Sequence, residues 1–292
     1  MDRRTRALVW AGALTVGAIS GLFGFANGFS PAGIFNALVP KDGDVAIERN
    51  VAFGTDPRQK LDIYRPANDE TGLPVIYFGY GGGWEAGDKD EYSFVGRAFA
   101  ARGYVTVIAD YRLVPDVVYP DFITDNALAV QWTAETIGSY GGDPNRMVLM
   151  GHSAGAYNIM MLALDPQFGV DLTKIRAVVG LSGPYDFYPF DVSQSQNAFG
   201  DFPHPERTQP VNLVSEGLPP VFLGHGEDDE TVYLRNSVAL AERMTASGTD
   251  VSLKVYDGGN HADTLVSLAR PLRWRYSVLD DVLAFLERHI NG

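Results

Sequence analysis

A mostly parallel α/β sheet with helices on both faces is the fold this sequence predicts. Three observations carry the expectation. The runs Val105–Ala109, apolar but for Thr106, and Met147–Met150 read as strands buried on both faces. Apolar residues at three- and four-residue spacing, as in Ile123, Ala127, Val130, Ala134 and Ile137, mark helices between such strands. Beyond Lys41 the two signals alternate, which is the order of a parallel sheet built with crossover helices.

The N-terminus is different in kind. Met1-Asp2-Arg3-Arg4-Thr5-Arg6 is basic, and no charged residue follows until Lys41. Within that stretch Ala7 to Phe25 is about long enough to cross a bilayer as a helix, although Gly and Ala outweigh Leu. The reading is a signal-anchor. A cleaved signal peptide, with small residues at Gly24-Phe25-Ala26 or Ala18-Ile19-Ser20, and a buried helix are the alternatives. The leading arginines keep the N-terminus in the cytoplasm and send the remaining chain to the periplasm or exterior. Residues 1–40 thus form one unit and residues 41–292 the globular domain.

Val45 to Phe53 and Leu61 to Tyr64 read as strands joined by a turn containing Asp56-Pro57. Val75 to Phe78 is a short strand that leads into Gly81-Gly82-Gly83. Met147–Met150 gives way to a helical run from Ala154 to Leu164. Ala177 to Leu181, Val221 to Leu223 and Val251 to Tyr256 supply further strands, about eight in all, and Leu279, Val282, Leu286 and Ile290 mark a final helix. Residues 184–220 interrupt the alternation with Tyr185, Phe187, Tyr188, Phe190, Phe199, Phe202 and His204 among prolines. Such an insertion is either a lid or substrate wall, or a loop packed down by its own aromatics.

Charge and composition exclude whole classes of function. The 292 residues carry a net charge of −13, and no basic cluster follows the N-terminus, so nucleic acid is not an expected partner. There is no cysteine, which removes disulfides and thiolate metal sites.

Chemistry concentrates at Gly151-His152-Ser153-Ala154-Gly155, a Gly-x-Ser-x-Gly turn between a strand and a helix. The flanking glycines admit a tight turn that lifts the Ser153 hydroxyl above the sheet, and the helix N-terminus behind it favours negative charge. A serine hydroxyl needs a base. Of five histidines, His261 in Gly258-Gly259-Asn260-His261 lies just past the last strand, at the sheet edge where ligands bind, and in the chain order Ser, acid, His. His152 should point away from the hydroxyl. The acid must come from His225-Gly226-Glu227-Asp228-Asp229-Glu230, where Asp228 and Asp229 both stand as candidates. Oxyanion donors are expected at the Ala154 backbone and in the Gly81-Gly82-Gly83 run. That run, with Asp110 ending the next strand, also matches a dinucleotide fingerprint, but bulky Trp84 and the acidic stretch after it fit a pyrophosphate poorly.

Taken together, the chain resembles the α/β-hydrolases of carboxylesterase/lipase type. It is near the hormone-sensitive-lipase-like and feruloyl/acetyl-xylan esterase groups and similar to isoprenylcysteine methylesterases. The likeness rests on Leu61-Asp62-Ile63-Tyr64-Arg65-Pro66, Gly81-Gly82-Gly83-Trp84, Asp110-Tyr111-Arg112-Leu113, Gly141-Gly142-Asp143-Pro144, the serine turn, the acidic motif and the His261 loop. It implies an α/β-hydrolase fold and ester hydrolysis without cofactor or metal, acting on a small-molecule ester. The triad it implies is Ser153, Asp229 and His261. Asp229 is selected because the family acid lies three residues after the Gly of His-Gly and three before a Val. The implied oxyanion hole is Gly82, Gly83 and Ala154. Such families usually read His-Gly-Gly-Gly-Trp, and Tyr80 stands here in place of that histidine, whose hydrogen bonds brace the loop. A non-catalytic hydrolase-like membrane protein and a dinucleotide-binding protein are the alternative functions.

Overall fold

The structure, a computed structural model, describes residues 30–290. Helix α1 (Pro31–Leu38) comes first, followed by β1 (Val45–Ala52), β2 (Lys60–Pro66) and β3 (Leu73–Gly79). Then follow α2 (Ser93–Ala100), β4 (Val105–Ala109), α3 (Asp121–Thr136), β5 (Gly142–His152) and α4 (Ala154–Leu164). The second half runs β6 (Ile175–Leu181), α5 (Ser193–Phe199), β7 (Val221–Gly226), α6 (Arg235–Ala246), β8 (Val251–Tyr256), α7 (Asp263–Val266) and α8 (Val278–Ile290). One eight-stranded sheet has the order β1-β2-β4-β3-β5-β6-β7-β8. β1 with β2 and β2 with β4 pair antiparallel, and every other pair is parallel.

The physical reason is visible in the strands. β4 is buried along its whole length, as are Met147 to His152 of β5, because helices cover both faces of the central sheet. Helix α4, apolar almost all round, has every residue buried and lies under the site rather than on the surface. The N-terminal stretch Ala7–Phe25 lies outside the described residues, and among those described no helix is long and apolar enough to cross a membrane. Residues 30–40, grouped with that stretch on the sequence, pack on the globular domain: Phe35 meets Phe94 edge to face at 5.2 Å, and Val39 is buried.

Strand order brings the chemistry-bearing segments to one edge. The Gly81 run, Ser153, Asp229 and His261 follow β3, β5, β7 and β8, all at the carboxyl ends of parallel strands. Ligands bind at this edge in open α/β sheets.

Candidate active site

Ser153 sits between β5 and α4 with φ 54° and ψ −127°, a conformation that costs a non-glycine residue about 1–3 kcal/mol. The neighbours hold it there. The Ser153 amide donates to the Leu181 carbonyl at 2.9 Å, and the Tyr157 amide donates to the Ser153 carbonyl at 3.1 Å. Close approach explains the flanking glycines. A Cβ on Gly155 would meet the Gly79 carbonyl oxygen at 2.1 Å, and one on Gly151 would meet the Gly155 oxygen at 2.5 Å.

His261 Nε2 lies 2.9 Å from Ser153 Oγ, and its Nδ1 lies 2.8 Å from Asp229 Oδ2. A carboxylate only accepts, so Nδ1 carries the proton and Nε2 is free to receive the one on Ser153. Asp229 is buried, whereas Asp228 is exposed. Asp229 Oδ1 accepts from the amides of Thr231 at 2.9 Å and Val232 at 2.8 Å. Burial works against its charge, yet hydrogen bonds from His225 and His261 and the Val232 amide hold its carboxyl well below the usual carboxylate range.

Two further histidines support this pair, and neither role was legible in the sequence. His225 is fully buried. Its Nε2 lies 2.7 Å from the Val232 carbonyl and 3.2 Å from Asp229 Oδ2, while Nδ1 lies 2.7 Å from Ser237 Oγ. His152 turns its ring toward that of His261, with centroids 4.9 Å apart, and donates from Nε2 to the His261 carbonyl at 3.0 Å. Burial, and then the neighbouring His261, push the His152 imidazole down to about 3, so it is neutral near neutral pH. The other two histidines stand elsewhere: His204 pairs with Glu206 at 3.5 Å, and His289 with Asp250 at 3.7 Å.

The glycine loop lies directly against Ser153, since a Cβ on Gly81 would come 2.9 Å from Ser153 Cβ. Each donor named from the sequence belongs to a peptide whose carbonyl is already engaged. The Gly81 carbonyl, in the same peptide as the Gly82 N–H, accepts from the Tyr92 hydroxyl at 3.3 Å. The Gly82 carbonyl, paired with the Gly83 N–H, accepts from the amides of Glu85 at 3.2 Å and Ala86 at 3.1 Å. The Ser153 carbonyl, paired with the Ala154 N–H, accepts from Tyr157. Fixing one end of a planar peptide fixes the other, so these hydrogen bonds orient the three N–H groups.

Tyr80 does not bond to the glycine loop as the family histidine would. Its hydroxyl donates to Asp110 Oδ1 at 2.8 Å and accepts from Arg58 Nη2 at 2.9 Å. The hydroxyl also lies 3.5 Å from the Gly87 carbonyl, and Arg58 bonds the backbone more closely, donating to the carbonyls of Gly87 and Tyr111, each at 2.8 Å. Burial, with Asp88 nearby, pushes the Asp110 carboxyl up to about 6, and the Lys89 amide bonds the same carboxylate oxygen at 2.8 Å. The carboxylate that a dinucleotide ribose would require is therefore engaged by Tyr80 and Lys89.

The aromatic insertion packs onto the oxyanion loop. Trp84 stacks on Phe187 at 6.1 Å and meets Phe199 and Tyr157 edge to face at 4.8 and 5.4 Å. Its indole N–H donates to Asn158 of α4 at 3.0 Å. These contacts are those of a loop packed down by its own aromatics, and α5 also lines a cleft of about 610 Å³ together with Glu85, Val114 and Val118. That cleft is not lined by Ser153, His261 or the Gly81-Gly82-Gly83 run.

The BD-FAE family pattern matches residues 61–244, most of the described domain. The chain belongs to the BD-FAE family. This BD-FAE member is 30% identical over 272 residues to the isoprenylcysteine alpha-carbonyl methylesterase ICME of Arabidopsis thaliana, covering 84% of the present chain and 63% of the plant protein. It is 31% identical over 231 residues to the carboxylesterase NlhH of Mycobacterium tuberculosis (strain CDC 1551 / Oshkosh), covering 70% and 71% of the two chains. The chain spans about three fifths of the length of the plant methylesterases it matches. Among solved structures, esterase B from Lactobacillus rhamnosis superposes with a TM-score of 0.78 at 21% identity, covering 100% of this chain and 97% of the other. At that identity the likeness speaks to the fold alone, which is that of the α/β-hydrolases.

Proposed function

We propose that this BD-FAE member is a serine hydrolase that cleaves carboxylic esters through an acyl-enzyme. One observation carries the reading: a serine at φ 54° whose hydroxyl lies 2.9 Å from His261 Nε2, while His261 Nδ1 lies 2.8 Å from a buried Asp229. His261 takes the Ser153 proton as Oγ attacks the ester carbonyl, and the amides of Gly82, Gly83 and Ala154 hold the oxyanion that forms. The tetrahedral intermediate collapses, the His261 proton passes to the departing alkoxide, and an acyl-Ser153 ester remains. Water, deprotonated by His261, attacks that ester; the collapsing intermediate releases the acid and returns the proton to Ser153. Asp229 keeps the imidazole in the tautomer that can do this.

Fluorophosphonate labelling of Ser153, together with turnover of p-nitrophenyl esters from acetate to palmitate, is the expected result. The names of the plant relatives make an isoprenylcysteine methyl ester the next substrate to try. Neither labelling nor turnover would leave the non-catalytic alternative in place.

The N-terminal stretch acts in this reading as a signal-anchor, with the esterase domain facing the periplasm or exterior. Support comes from the arginines at positions 3, 4 and 6 and the absence of charge from Ala7 to Pro40. The full-length chain should stay in the membrane pellet through a carbonate wash. Its recovery in the soluble fraction with Met1 intact would overturn the anchor, and a soluble form beginning near Asn27 would show a signal peptide.

A further inference from the structure

We infer that Tyr92 is a positioning residue for catalysis, its hydroxyl aiming the Gly82 N–H at the oxyanion through the carbonyl of Gly81. The inference rests on the proposed role of Gly82 as an oxyanion donor. Tyr92 lies outside every motif read from the sequence, in the short 3-10 turn Lys89–Tyr92 ahead of α2. Its hydroxyl donates to the Gly81 carbonyl at 3.3 Å in a buried setting. The Gly81 carbonyl and the Gly82 N–H are the two ends of one planar peptide and point in opposite directions. Gly82 has φ 134°, so its own backbone preference does little to hold that plane. Of the three candidate donor peptides, the other two are held by backbone amides, of Glu85 and Ala86 in one case and of Tyr157 in the other. Only this one is held by a side chain.

The turn that carries Tyr92 is itself anchored on several sides. The Tyr92 ring stacks on Tyr80 at 5.2 Å with 15° between planes, and it lies 6.1 Å from Phe78. Lys89 is bonded to Asp110 through its amide. From α1, Asn36 donates to the Asp90 carbonyl at 2.7 Å and accepts from Ser93 Oγ at 3.0 Å, and Ser30 bonds to Glu91. Burial pushes the phenol well above its ordinary range, so Tyr92 stays protonated and a donor near neutral pH. A hydrogen bond accepted by a carbonyl also polarises the N–H at the far end of its peptide, which strengthens that donor.

Tyr111 supplies the control. It flanks the other face of Tyr80, with centroids 4.9 Å apart, and its hydroxyl donates to the Tyr80 carbonyl at 3.2 Å. That peptide carries the Gly81 N–H, which is not among the proposed donors. Tyr92→Phe and Tyr111→Phe in the full chain therefore each delete one hydroxyl and keep the ring in the stack, and only the first frees a proposed donor peptide. Deleting an oxyanion donor costs about 10² to 10³ in kcat, and loosening one without deleting it should cost less, about tenfold. We expect Tyr92→Phe to lose about that factor in kcat with KM within about twofold, and Tyr111→Phe to keep kcat within about twofold. Affinity for a trifluoromethyl ketone, whose hemiketal oxygen occupies the oxyanion position, should fall with kcat in Tyr92→Phe.

Thermal melts of both variants check that the fold is intact. Unchanged kcat in Tyr92→Phe would overturn the inference. So would equal losses in the two variants, or a loss seen in KM with ketone affinity intact. If instead the wild type neither turns over esters nor binds the ketone, it is the underlying esterase reading that has failed, and the inference falls with it.

Discussion

Ser153→Ala is expected to lower kcat for a p-nitrophenyl ester by about 10⁵ to 10⁶, and His261→Ala by a similar factor. The double variant should lose little more than either alone. That non-additivity follows from the geometry, since the hydroxyl is useful only while His261 Nε2, 2.9 Å away, can take its proton. What remains in each variant is rate supplied by the oxyanion amides and by substrate positioning. Steady-state kinetics on the three variants, with fluorophosphonate labelling as a check, would decide the matter. Losses that multiply in the double variant would mean that the two residues act independently, and the triad reading would fail.

Asp229→Asn should cost on the order of 10⁴ in kcat, and the structure supplies the reason. Oδ1 of Asp229 accepts from two backbone amides, those of Thr231 and Val232. An asparagine must place its oxygen there, which puts its NH2 where Oδ2 now meets His261 Nδ1 at 2.8 Å. A donor facing Nδ1 drives the proton to Nε2, and an imidazole protonated at Nε2 cannot accept from Ser153. The same NH2 would confront the Nε2–H of His225, now 3.2 Å from Oδ2. Asp228→Asn is the matched control, because that side chain is exposed and should leave kcat within about threefold. Reversal of the two effects, measured on the same ester, would move the acid to Asp228.

Much of the fold was legible because buried parallel strands write themselves as largely apolar runs. Val105–Ala109 matches the observed β4 end for end, as the run Ala154–Leu164 matches α4; Val251–Tyr256 matches β8 although Ser252 and Lys254 interrupt it and most of it is partly exposed. Met147–Met150 recovered only part of the buried C-terminal half of β5, whose earlier residues 143–146 are half-exposed or exposed and carry no apolar signal. Helices α2 and α6 went unread. α2 is short, and α6 carries a mixed, largely polar sequence whose face toward the sheet is narrow.

The sequence by itself determined the sheet class, the serine turn and the histidine that follows the last strand, because each depends on residues close together in the chain. Turn geometry, periodicity and burial on both faces are local properties, and local properties are written in residue types. What only the tertiary structure decided lies between segments far apart. The residues alone left Asp228 and Asp229 both open and the family spacing named Asp229, but the reason is tertiary: the turn after β7 buries Asp229 against His261 and exposes Asp228. Tyr80 reaches Asp110 because β3 and β4 are neighbours whose ends lie side by side, and it meets Tyr92 and Tyr111 in a single stack. No spacing rule anticipates such contacts, since strand order rather than sequence separation sets which side chains can touch.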